Sequence, residues 1–157
     1  LPVDALVAAS LPKLFEAGTR TERRGRLLSA LAVLALAYGA VAGLALWLAA
    51  PALGWLLGPG FVGAVALVET LAWLVPAYAL RQVASHALLG FGRVGWRVAG
   101  EGAAALLLVA LIAALLPEFG AAGVVRAVVT AEYALMLVVW LGLLPRSIAA
   151  DRNQPRR

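Results

Sequence analysis

The 157-residue chain is 64% hydrophobic and 13% charged, against about 25% charged residues in ordinary soluble domains, which excludes a soluble globular protein. The same bias excludes a disordered chain, which needs low hydrophobicity and high net charge. The net charge of +5 reports membrane topology in so apolar a chain, not nucleic acid, and the absence of cysteine closes disulfide, thiolate-metal and cysteine-nucleophile chemistry.

The expected elements follow in chain order. Leu1–Gly18 reads as the last turns of an earlier helix whose beginning is missing: the chain opens without an initiator Met, its single Met is Met136 in an apolar run, and the expectation is a fragment. The opening does not fit a signal peptide, because the basic residues follow the apolar stretch instead of preceding it. From Leu27 to Val68 no residue is charged over 42 positions, twice the ~20 residues that cross a bilayer once, so the segment turns, and Pro51, Gly54, Gly58, Pro59 and Gly60 mark the place. The first span is therefore 27–50, with 51–60 an exit turn where Trp47 and Trp55 anchor at headgroup level. The second span, 61–91, is long and kinks at Pro76. The third, 98–116, ends at Pro117. The fourth, 121–144, ends at Pro145, and 145–157 is a cytoplasmic tail.

Loop charge supports this order. Lys13–Arg26 holds five basic residues, the Arg93/Arg97 turn two and the tail four, while the turns at 50–61 and 117–123 hold none. By the positive-inside rule the basic loops are cytoplasmic. Continuous apolar runs exclude the alternating strands of a β-barrel. The fold class is thus all-α, a polytopic bundle of four full spans plus the end of an earlier helix. Gly39 and Gly43 form a GxxxG spacing in the first span; ordinary packing within the chain explains it better than a dimer seam. Gly and Ala are spread around that helix, so no single packing face stands out.

Ionisable residues at membrane depth are costly, about 2.5–3.5 kcal/mol each on insertion scales, and the candidates are Glu69, Arg81, Arg126 and Glu132. At ~1.5 Å per residue, Glu69 lies roughly 12 Å and Arg126 roughly 7 Å from the outer helix ends, so these two are expected to pair across helices or, for Arg126, to snorkel or line a cavity. Glu132 lies roughly 16 Å in, near the midplane, and about 240° around the helix from Arg126. It is either a protonated interhelical carboxyl or a cavity group that handles protons or substrate. Arg81 and His86 sit toward the cytoplasmic end of the second span, where an Arg snorkels and a His is solvated. Glu101, one turn inside its helix, suits the helix dipole. One His, no HExxH, no phosphate loop and no nucleophile elbow make an enzyme unexpected, and neither metal nor cofactor is implied.

The order of features carries a resemblance. Leu11-Pro12-Lys13-Leu14-Phe15 before a basic loop, a span closing in Leu56-Leu57-Gly58-Pro59-Gly60-Phe61, then Ala64-Val65-Ala66-Leu67, Ala87-Leu88-Leu89-Gly90-Phe91-Gly92-Arg93 and Leu115-Leu116-Pro117-Glu118-Phe119-Gly120-Ala121-Ala122-Gly123 resemble the later part of polysaccharide biosynthesis (O-antigen type) flippases, of the multidrug/oligosaccharidyl-lipid/polysaccharide exporter superfamily. The resemblance implies the C-terminal lobe of a two-lobe, alternating-access transporter of the bacterial inner membrane, with lipid-linked oligosaccharide, the bilayer and a missing N-terminal lobe as partners. It also implies basic cavity residues facing a lipid pyrophosphate, carried over to Arg126. A peptidoglycan-precursor flippase, a cation-coupled multidrug exporter and a non-transporting four-span scaffold of a polysaccharide-synthesis complex stay open as alternatives.

Overall fold

The computed structural model describes residues 21–143; the expected earlier helix end at 1–18 and the tail at 145–157 lie outside them. The described elements are α1 (Thr21–Ala49), α2 (Pro51–Leu57), a 3-10 turn (Pro59–Phe61), α3 (Val62–Ala72), α4 (Leu74–Gly90), α5 (Val94–Phe119) and α6 (Ala121–Leu141). All regular structure among the described residues is helical. Four segments, Gly25–Ala49, Pro59–Gly90, Val94–Phe119 and Ala121–Leu141, are long and apolar enough to cross a membrane.

Several boundaries differ from the expected ones, each for a backbone reason. Helix α1 starts at Thr21, ahead of the apolar run, because Arg is a good helix former and a helix need not end where lipid does. The expected exit turn contains α2. Pro51 occupies its first turn, where the missing N–H would have had no helical partner anyway. Pro117 likewise fails to end α5. It lies inside the helix, near enough to the C-terminus to cost one hydrogen bond, and the chain turns three residues later at Gly120, whose φ of 56° suits a residue without a Cβ. Helix α6 stops at Leu141, short of Pro145. Its last carbonyls are capped from the α4–α5 connection and the first turn of α5: Arg93 Nη1 donates to the Gly142 carbonyl and Trp96 Nε1 to the Val138 carbonyl at 2.9 Å, supplying partners that a helix end otherwise lacks.

The long second span is broken at Trp73, three residues ahead of Pro76. Pro76 has no N–H to offer the Ala72 carbonyl, and Trp73 N instead closes a tight turn onto the Thr70 carbonyl at 3.3 Å. Tyr133 of α6 donates its hydroxyl to the Trp73 carbonyl at 3.1 Å. Loose backbone polar groups inside a bilayer have to be satisfied by the protein, and this bond supplies the break with a partner from another helix.

The helices stand in a row. α1 packs on α3 and α4, α4 on α6, and α6 on α5, while α1 touches neither α5 nor α6. Two small apolar cores mark the seams: Ala35, Ala79 and Val83 between α1 and α4, and Ala84, Leu88, Leu135 and Val139 between α4 and α6. Outside these seams the helices are apolar and open, with Leu106 75% and Val109 66% exposed, as lipid-facing surface requires.

Contrary to the even spread of small residues in its sequence, α1 uses one face. Ala35, Gly39 and Gly43 are buried in succession, each one turn on. A Cβ at Gly39 would lie 2.7 Å from Pro76 Cα, and one at Gly43 2.8 Å from the Ala72 carbonyl oxygen, so the GxxxG pair is the seam against the α3–α4 break. Close approach of this kind supplies the packing that hydrophobicity cannot supply in lipid. Gly39→Val is expected to destabilise the protein by about 1–3 kcal/mol, whereas Gly102→Ala, at a site with open space around it, is expected to be neutral or to stabilise by up to ~1 kcal/mol. Unfolding in mixed micelles, followed by circular dichroism, checks both.

Candidate functional site

At about 100° per residue, α4 presents Ala77, Arg81, Ala84 and Leu88 along one stripe, and Ala84 and Leu88 belong to the α6 seam. Arg81 is therefore directed into that seam and not along the membrane surface. On α6, Glu132 stands one and two turns before Leu135 and Val139 of the same seam. The two meet: Arg81 Nε donates to Glu132 Oε1, and both side chains are only 15% exposed. Each lies nine residues from the end of its helix at Gly90 or Leu141, about 13 Å deep, and Glu132 is roughly midway along α6. The expected snorkelling of Arg81 is thus corrected, because its stripe faces a neighbouring helix at a depth where a carboxylate waits.

The other expected pair does not form. Gly123, Ala127, Ala131, Leu135 and Val139 define the buried face of α6, and Arg126 lies about 140° around from its centre. It is exposed, and its guanidinium stacks over the Phe119 ring at 5.0 Å, a cation–π contact made across the α5–α6 turn. Glu69, on α3, is half-buried and makes no ion pair among the described residues. Glu101 accepts from Arg97 Nε at 2.8 Å, one turn away on the surface of α5. Of the four candidates, the structure brings together Arg81 and Glu132 and leaves Glu69 and Arg126 apart.

Tyr78, Gln82 and Ser85 complete the polar cluster. The Arg81 guanidinium also lies 5.0 Å from the Tyr78 ring centroid, and Gln82 Nε2 donates to the Tyr78 hydroxyl at 2.9 Å. The available signal was spacing: Tyr78, Gln82 and His86 follow one another at four-residue intervals on α4, beside Arg81. Ser85, one turn from Arg81, is 1% exposed and its hydroxyl has no hydrogen-bond partner among the described residues. A separate groove of about 290 Å³ lies between α1 and the α3–α4 break, lined by Leu44, Trp47, Trp73 and Pro76 among other apolar residues; it carries no ionisable group. Among the described residues, no cluster of three or more His, Asp or Glu side chains could hold a metal ion.

Chemically, the cluster offers hydrogen-bond donors and one compensated charge pair. Comparison with protein-family models, curated proteins and solved structures gives no match to this chain.

Because the pair is largely shielded, removing one partner strands the other. Arg81→Leu or Glu132→Leu alone is expected to cost about 3–5 kcal/mol, and the double replacement much less than the sum. A double-mutant cycle on Glu69→Gln and Arg126→Leu is expected to show additivity within about 0.5 kcal/mol, since those side chains do not meet.

Proposed function

We propose that this chain forms one wall of a membrane transporter that moves an anionic, lipid-linked sugar, as its resemblance to O-antigen flippases implies. The observation that supports this reading is the state of Arg81. Its Nε is engaged by Glu132, while its two terminal nitrogens make no hydrogen bond among the described residues. A planar guanidinium with donors to spare suits a phosphate or pyrophosphate oxygen, and polar groups of this kind within a span mark substrate pathways. The broken second span fits the same reading, because interrupted helices occur where a span borders a cavity. In this proposal Arg81 replaces Arg126 as the leading phosphate contact, and Glu132 holds it in place between substrates. A bacterial inner membrane with a cytoplasmic tail completes the reading. The step is translocation, with no covalent change to the substrate.

The four-span scaffold remains a second reading because the Arg81–Glu132 bond also ties α4 to α6. The double variant Arg81→Leu/Glu132→Leu separates the two. It keeps apolar packing and removes the donors. Under the transport reading, reconstituted full-length protein carrying it loses at least about tenfold, or ~1.4 kcal/mol, in translocation of a fluorescent polyprenyl-pyrophosphoryl oligosaccharide, with unchanged insertion. Full retention of translocation would leave the pair a helix tie and favour the scaffold.

A further inference from the structure

The groove between α1 and the α3–α4 break is built from two helix faces. On α1 it is lined by Ala40, Gly43, Leu44 and Trp47, and on the second span by Ala72, Trp73 and Pro76. Both sets follow the i, i+3, i+4, i+7 spacing of a single helix face, and on the second span the first member of that face is Glu69. Trp73 keeps helical dihedrals through the break, φ −70° and ψ −15°, so the face runs across it. The two helices are antiparallel, with Gly43 against the Ala72 carbonyl and Gly39 against Pro76. One turn beyond the Gly43 contact, toward the Ala49 end of α1, Trp47 and Glu69 therefore stand at the same level, at one end of the groove.

Glu69 is half-buried, roughly 12 Å from Phe61 at the start of its span, and no neighbouring element offers it a cation. The α1 residues at its level are uncharged, and α2 and the 3-10 turn carry no ionisable side chain. The first cation of α4 is Arg81, held by Glu132, and Arg126 of α6 is exposed and stacked on Phe119. Ionisable residues held at such depth mark functional sites. Beside this carboxyl group the groove presents two exposed tryptophan rings and otherwise aliphatic surface.

We infer that the groove binds a lipophilic organic cation, its body against the Trp47 and Trp73 rings and its charge beside the Glu69 carboxylate. Aromatic faces attract cations, and the carboxylate favours a cation over neutral hydrocarbon. The groove volume, about 290 Å³, lies near the lower end of the ~300–1,000 Å³ of small-ligand pockets. A helix, about 10–12 Å across with its side chains, is too wide to enter it. The site is separate from Arg81, and the inference does not depend on the transport reading.

In the test, full-length protein in nonionic micelles is dialysed against benzyltriethylammonium, and against N,N-diethylbenzamide as a neutral compound of similar size. Saturable binding of the cation is expected, at least about tenfold tighter than that of the amide. Glu69→Gln is expected to weaken cation binding at least about tenfold and to leave the amide unchanged. Trp73→Leu is expected to weaken cation binding about three- to tenfold. Glu118→Gln, at an exposed acid on the same end of the bundle, is expected to change nothing. Glu69→Asp keeps the charge and guards against a folding defect, since it is expected to retain the binding that Glu69→Gln loses. No saturable binding, equal affinity for cation and amide, full affinity in Glu69→Gln, or equal losses in Glu69→Gln and Glu118→Gln would each overturn the inference. Loss of translocation in Arg81→Leu/Glu132→Leu would leave this binding result untouched.

Discussion

The contact between the Arg81 guanidinium and the Glu132 carboxylate joins α4 to α6 at a depth where neither charge could be left alone. Because that contact fixes the rotation of both helices, it also decides what each offers to its other neighbour. With Arg81 turned to α6, α4 presents Ala79 and Val83 to α1, and Ala35 meets them. With Glu132 turned to α4, α6 carries Gly123 against the Leu115 carbonyl near the end of α5, so closely that any side chain there would collide with backbone. The row of helices is thus propagated outward from one polar bond by surfaces of very small side chains.

Backbone chemistry constrains the same row independently. The interruption before Pro76 leaves carbonyls without their usual donors. The Tyr133 hydroxyl donates to the neighbouring Trp73 carbonyl, from the residue that follows Glu132. Adjacent residues of α6 therefore tend two different needs of the second span, a charge and a carbonyl. At the other end, Arg93 and Trp96 close off α6 itself. Basic and aromatic residues that topology rules treat as interfacial markers here hold helix ends together.

The spans were legible because hydrophobic length is a one-dimensional property: an uncharged run of 42 residues has to fold back, and it does so at Pro51–Phe61. Proline was less informative. Pro51 and Pro117 sit within the terminal turns of helices, where the missing N–H costs little, so reading them as boundaries misplaces the ends by a few residues. Packing faces were hidden because Ala and Gly in α1 differ little in hydropathy, and only the approach of Pro76 singles out Gly39 and Gly43. The pairing of charges failed for a related reason. Depth and helical angle could be computed for each residue, and Arg81 visibly shared a stripe with Ala77, Ala84 and Leu88. Which helix covers that stripe is a tertiary fact. Depth alone matched Glu69 to Arg126, although Arg126 lies on the exposed face of α6.

Arg81 and Glu132 are 51 residues apart in the chain, and that separation has a consequence for biogenesis. At a synthesis rate of about 5–20 residues per second, the second span emerges roughly 3–10 s before the carboxylate that will neutralise its guanidinium. Two further helical segments have to be laid down in that interval. The nascent chain must therefore hold the guanidinium beside the insertion machinery, or partly out of the bilayer, until the α5–α6 hairpin arrives. Final seating of the second span is thus a late event, set by the completion of α6 and not by its own hydrophobicity.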